Sequence, residues 1–151
     1  MQRTIYHEAA HLVIAKKFNY NITKVTVVPD GDTKGCVFYD WKGDNGLKES
    51  VYVHLAGVAM EMVLFGDYTM GCKSDIEKAQ QAIRDLIEYG YSPDGIHYSL
   101  SETSNRKLEK RIDQLYATYL KETMDMVSLH RDEIESFVPY LETYRYLTQR
   151  D

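Results

Sequence analysis

At 151 residues, with 44% hydrophobic and 27% charged residues, the chain is long enough to bury a real core and has the composition of a globular protein. A net charge of −5 argues against nucleic-acid binding, which needs a basic face. The most apolar stretch, "VYVHLAGVAMEMVLF", falls short of the roughly 20 apolar residues a membrane span needs and is interrupted by His54 and Glu61, so no membrane segment is expected.

No apolar leader opens the chain, and Cys36 and Cys72 form neither a CxxC pair nor a disulfide framework, which together read as a reduced, cytoplasmic protein. Residues 3–18 place Ile5, Leu12, Val13 and Ala15 at helical spacing with no Pro or Gly between them. The β-branched run at 22–28 predicts a strand stopped by Pro29, Asp30 and Gly31. "KGCVFYDWKGDNG" predicts a second strand and a polar turn, so the two strands make a hairpin or part of a small sheet. Helical spacing returns over 48–65 and ends at Gly66, which suits a C-terminal cap. "GDYTMGCKSD" reads as a loop with Cys72 in it, and Ser74 with Glu77 resembles a capping box opening a helix over 75–89. Gly90, Pro93 and Gly95 break the chain, and 101–148 reads as two helices dividing near 129–131.

Within the first helix, "HEAAH" sets His7 and His11 at i and i+4 on one face, a spacing at which two imidazoles can share one Zn²⁺. Glu8 lies about a third of a turn aside, where a carboxylate can act as general base without being a ligand. An amphipathic helix that happens to carry two histidines is the alternative. The HExxHxxGxxH pattern fails because Ile14 and Lys17 occupy the places of its Gly and third His. By spacing alone the third ligand stays open among Glu61, Asp75 and His54.

Five segments in order, "YHEAAH", "ITKVTVVPDG" with "KGCVFY", "LAGVAMEMVLFG", "GCKSDIEKA" and "IEYGYSPDG", resemble the FtsH-type zinc peptidase domain, the proteolytic half of the membrane AAA proteases. The resemblance spans nearly the whole chain. It implies a mainly α fold with a small β-sheet (α+β), in which the zinc helix packs with further helices and a short hairpin forms an edge beside the active site. Residues 1–151 are then a single peptidase domain. The resemblance implies His7, His11 and Asp75 as ligands of one Zn²⁺ per chain, with Glu8 as catalytic base. It places Glu61 in support behind the ligands. His54, seven residues before Glu61, is expected as a structural histidine able to hydrogen-bond near the site. The chain departs from the family's HEAGH at Ala10, and from its AGRxAEE at Val58 and Met62.

The activity implied is hydrolysis of peptide bonds in unfolded or flexible peptides, with "KVTVV" or "CVFYD" offering a sheet edge to an extended substrate. No GxxxxGK[ST] loop occurs, so a separate ATPase or unfoldase partner, a larger ATP-dependent chain, or action on flexible peptides is expected. Homo-oligomers are a further expectation. The alternatives are a non-catalytic module that binds peptides or partners, and a helical interaction protein presenting Tyr116, Tyr119, Tyr140, Tyr144 and Tyr146. Tyrosines at helical spacing more commonly pack half-buried with a wet hydroxyl.

Overall fold

The computed structural model describes residues 2–28, 35–39, 46–88 and 102–148. Helix α1 spans Gln2–Lys17, strands β1 and β2 span Ile22–Thr26 and Cys36–Tyr39, and helix α2 spans Leu47–Phe65. A 3₁₀ turn at Met70–Cys72 leads into α3, Lys73–Glu88, followed by α4, Glu102–Leu129, α5, Arg131–Tyr144, and β3, Tyr146–Thr148. The chain is thus mainly helical with a small sheet, as the sequence predicts. The breaks predicted at Pro29, Asp30 and Gly31 and at Gly90, Pro93 and Gly95 lie outside the described residues.

Helix α2 is the centre of the packing. It lies against α1, α3 and α4, and its buried stretch runs from Ser50 to Glu61 with only His54 half-exposed. A helix apolar on every side can exist in water only when neighbours cover every side. Helix α1 is the second buried rod, with every residue from His7 to Ala15 inside, and it touches α2, α5 and the sheet. The histidine pair is therefore held between packed helices, not on a free surface. Among the described residues no helix is long and apolar enough to cross a membrane.

The ends of these rods are fixed by local chemistry. Gly66 sits at φ 78 and returns its N–H to Met62, the left-handed cap the sequence predicts. At the end of α1 a non-glycine residue does the same work. Asn19 adopts φ 62, with Asn19 N–H reaching Lys16 and Tyr20 N–H reaching Ala15, a Schellman arrangement. The predicted capping box is corrected. Helix α3 starts at Lys73, so Ser74 already lies inside its first turn, and the 3₁₀ turn before it begins after Thr69, whose hydroxyl bonds to Glu61 and not to the turn's backbone.

The sheet is larger by one strand than the sequence suggests. Its order is β2-β1-β3, antiparallel throughout, with Val25 opposite both Val37 and Leu147. The prediction of helix up to residue 148 fails at Arg145, which turns left-handed at φ 66 and ends α5. Its carbonyl accepts from Val27 N–H, and the chain continues as β3 along β1. β1 is consequently the central strand, with both backbone edges used, while β2 is an outer strand with one edge unpaired by the described residues. Of the tyrosines, Tyr119 is buried against Tyr52, and Tyr140 and Tyr144 lie ring to ring at 4.6 Å.

Candidate metal and catalytic site

His7 and His11 face the N-terminal turn of α3, where Asp75 meets them. His7 Nε2 is 2.9 Å and His11 Nε2 3.2 Å from Asp75 Oδ2, and the two Nε2 atoms are 3.0 Å apart. Three potential donor atoms from two elements, 64 and more residues apart in sequence, thus converge on one point.

The far side of each ring decides what those atoms can do. His11 Nδ1 lies 2.7 Å from the Val53 carbonyl, which can only accept, so Nδ1 carries the proton. His7 Nδ1 lies 2.7 Å from Glu61 Oε2. Burial opposes charge on Glu61, but bonds from His7, Cys72 and Thr69 outweigh it and hold the carboxyl down at about 2. Glu61 is therefore ionised and accepts from His7 Nδ1–H. A neutral ring in either position then turns its Nε2 lone pair toward Asp75. Two lone pairs and a carboxylate aimed at one another form an electron-rich point that calls for a cation.

The spacing suits zinc. Bonds of about 2.0–2.1 Å in tetrahedral geometry separate ligand atoms by about 3.3 Å. The observed 2.9–3.2 Å needs only a slight spreading to match. The electrostatics point the same way. Burial works against a charged His7, yet Asp75, Cys72 and Glu61 hold its pKa well above that of a free imidazole, so the site favours a positive charge at Nε2 and a bound cation would take the place of that proton. Burial likewise opposes ionised Asp75, and His11 and His7 overcome it, keeping the carboxyl well below the usual range.

Glu61 is the other carboxylate within reach, and it is already spent. Its Oε2 takes His7 Nδ1–H and the Cys72 thiol at 2.8 Å, while Oε1 takes Thr69 at 3.1 Å and Arg3 at 3.3 Å. Four bonds fill a carboxylate's acceptor sites. Glu61 thus holds the His7 ring from behind and has no free lone pair for a metal. Arg3 is itself fixed, stacked 4.3 Å over the Phe65 ring and bonded to Asp67.

Glu8 differs from its neighbours in having nothing to do internally. It is 5% exposed, its Oε1 is 4.0 Å from His7 Nε2, and its buried Oε2 has no hydrogen-bond partner among the described residues. Burial pushes its carboxyl pKa up against the pull of His11 and His7. A buried carboxylate oxygen left unpaired is costly, and this one stays open to a partner entering from the cleft.

These groups line the wall of an open cleft of about 1260 Å³. The outer strand β2 forms one side of it through Cys36, Val37 and Tyr39, with Gly35 at the strand's start. The fit at Gly35 is tight, since a Cβ there would stand 3.0 Å from Glu8 Cγ and 2.9 Å from the Thr26 carbonyl. His54 lines the same cleft, half-buried, without a bond to Glu61.

Two features of the site escape the sequence reading. A Cβ on Gly57 would lie 2.4–2.5 Å from three atoms of the His7 ring, so the ring rests on bare backbone of α2. Cys72, read as a loop residue, is fully buried and bonds to Glu61. The glycine could have been flagged because an unbroken helix rarely keeps Gly without a close approach. The Val53 carbonyl under His11 has no side-chain signature at all.

A sequence model of Peptidase family M41 matches residues 1–151, the whole chain. The ATP-dependent zinc metalloprotease FtsH 2 of Thermoanaerobacter is 31% identical over 67% of this chain and 20% of its own length. The YME1 homolog of Schizosaccharomyces pombe, also named an ATP-dependent zinc metalloprotease, is 27% identical over 98% of the chain and 23% of its own. The FtsH of Thermus thermophilus is 28% identical over 82% of the chain and 23% of its own. The chain therefore spans about a fifth to a quarter of the length of these curated relatives. Its sequence along all 151 residues makes it a member of peptidase family M41, the family of the FtsH-type zinc metalloproteases.

Proposed function

We propose that residues 1–151 form one peptidase domain that hydrolyses peptide bonds, with His7, His11 and Asp75 holding one Zn²⁺ and Glu8 as general base. The observation that carries this reading is the convergence of His7 Nε2, His11 Nε2 and Asp75 Oδ2 beside the unpartnered Glu8 Oε2. When bound, the zinc supplies a Lewis acid that lowers the pKa of water toward about 7 and polarises a carbonyl oxygen.

The chain's own residues supply the rest. Glu61 and the Val53 carbonyl fix both rings in the tautomer whose Nε2 is free. Glu8 takes the proton of the attacking water and later delivers it to the departing amine nitrogen. Its raised pKa suits a group that must both take and return a proton. Strand β2 offers its unpaired edge to an extended peptide, whose backbone bonds would lay it along the cleft with little regard to sequence. Because β1 is paired on both edges, this reading gives the role to Cys36–Tyr39 of β2 and not to "KVTVV".

The substrate is an unfolded or flexible segment, since only an extended backbone can pair with the edge of β2. The named relatives are ATP-dependent, and an ATP-driven element outside these residues would feed folded proteins to the cleft. Metal removal tests the reading. Exhaustive chelation is expected to abolish cleavage of an unfolded peptide, and one equivalent of Zn²⁺ is expected to restore it. Cleavage that persists in the fully metal-depleted protein would refute it.

A further inference from the structure

The buried stretch of α2 carries four side chains with polar groups. Ser50 bonds to the Leu47 carbonyl at 2.6 Å, Tyr52 bonds to Glu122, and Glu61 is saturated. His54 is the exception, for neither ring nitrogen bonds to a described residue. Neither nitrogen is sealed from solvent, so the polar part of this residue opens onto the cleft and not into the apolar packing of α2. Its ring lines the cleft in company with His11, Asp75 and Lys78.

The backbone around it already serves the site. Val53, its neighbour, supports His11, and Gly57, three residues on, supports His7. Burial, with His11 and Lys78 reinforcing it and Asp75 opposing, holds the His54 pKa at about 4. The ring is then neutral at neutral pH and keeps one N–H to give. Glu8, by contrast, abuts the start of β2 at Gly35. The cleft thus has its proton acceptor against the strand and an unspent donor on α2.

Resting on the peptidase reading, we propose that His54 is a further catalytic residue, donating its ring N–H to the oxygen of the peptide carbonyl under attack as that oxygen gains negative charge. The hydrogen bond strengthens as charge develops, so it lowers the barrier more than it tightens substrate binding. The proton stays on the ring, and no bond is made or broken at His54.

The test compares zinc-loaded wild-type chain with His54→Phe, which keeps a ring and loses the donor, and His54→Gln, which keeps an N–H. With an unfolded peptide substrate, His54→Phe is expected to lose about 10²-fold in kcat with KM changed less than about threefold. Zinc is expected to stay at one per chain, and His54→Gln is expected to recover part of the rate. A phosphinic peptide, an anionic tetrahedral mimic, is expected to bind His54→Phe at least about tenfold more weakly than wild type. The matching uncleaved peptide, measured on Glu8→Gln with and without His54→Phe, is expected to bind equally. A kcat within about threefold of wild type, a loss confined to KM, or a rate loss matched by lost zinc would each overturn the proposal. If wild type cleaves no faster than Glu8→Gln, the peptidase reading itself fails. The phosphinic-peptide titration needs no turnover, so equal affinities there still count against His54.

Discussion

Glu8→Gln is expected to reduce peptide hydrolysis by about 10²–10⁴-fold while leaving zinc at one equivalent per chain. The substitution changes one oxygen to an amide nitrogen and hardly alters volume, so the packing of α1 between its neighbours is kept. It removes the acceptor on which proton transfer depends. It also removes a buried negative charge whose Oε2 has no internal partner, so the fold should hold or gain slightly. The measurement is the hydrolysis rate of a fluorogenic unfolded peptide, paired with metal content and thermal melting of the same preparations. If wild type and Glu8→Gln proved equally slow with full zinc, the chain would be the non-catalytic binding module that the sequence also allows.

The second large effect sits at a residue with no functional group. As an ordinary position in the middle of a helix, Gly57 should gain about 1 kcal/mol of stability on replacement by alanine. The geometry reverses that sign. A Cβ there would stand 2.4–2.5 Å from Cε1, Nε2 and Cδ2 of His7, inside any tolerable contact. Overpacking of this kind costs about 1–3 kcal/mol, and here the strain falls on the ring that carries a donor atom. Gly57→Ala is therefore expected to lower Tm and weaken zinc binding by at least about tenfold, with helix content retained. A raised Tm with unchanged zinc affinity would show that the His7 ring does not rest on α2 as described.

Much of this architecture is legible in the sequence because side-chain periodicity records burial. The unbroken apolar run of α1, the Gly66 cap of α2 and the division between α4 and α5 at His130 all follow from residue type and spacing. β3 does not, because "YRYLT" has no Gly or Pro to end a helix and its residues suit either state. Only the tertiary edge of β1 decides it. The start of α3 is misread for a related reason, since Ser74 is a good cap in isolation but a 3₁₀ turn already precedes it. At the site, the histidine pair and Glu8 are visible as a local motif. The meeting of Asp75 with His7 joins residues 68 apart and is suggested only by resemblance. The supports behind the site, Gly57, the Val53 carbonyl and the Cys72 thiol, act through shape, backbone and burial. Of the three only Gly57, a glycine inside an unbroken helical run, leaves a trace in the letters.

In the proposed site His7, His11 and Asp75 hold the metal while Glu61 stands behind His7 with every lone pair occupied. Zinc content and chelator-competition affinity, measured on wild type, Asp75→Ala and Glu61→Gln, test it most directly. One zinc per wild-type chain is expected. Asp75→Ala should lose it outright or bind far more weakly, and Glu61→Gln should retain it with affinity lowered by about 10–100-fold. Stoichiometric zinc of unchanged affinity in Asp75→Ala, with loss in Glu61→Gln, would contradict the account and move the third ligand to Glu61.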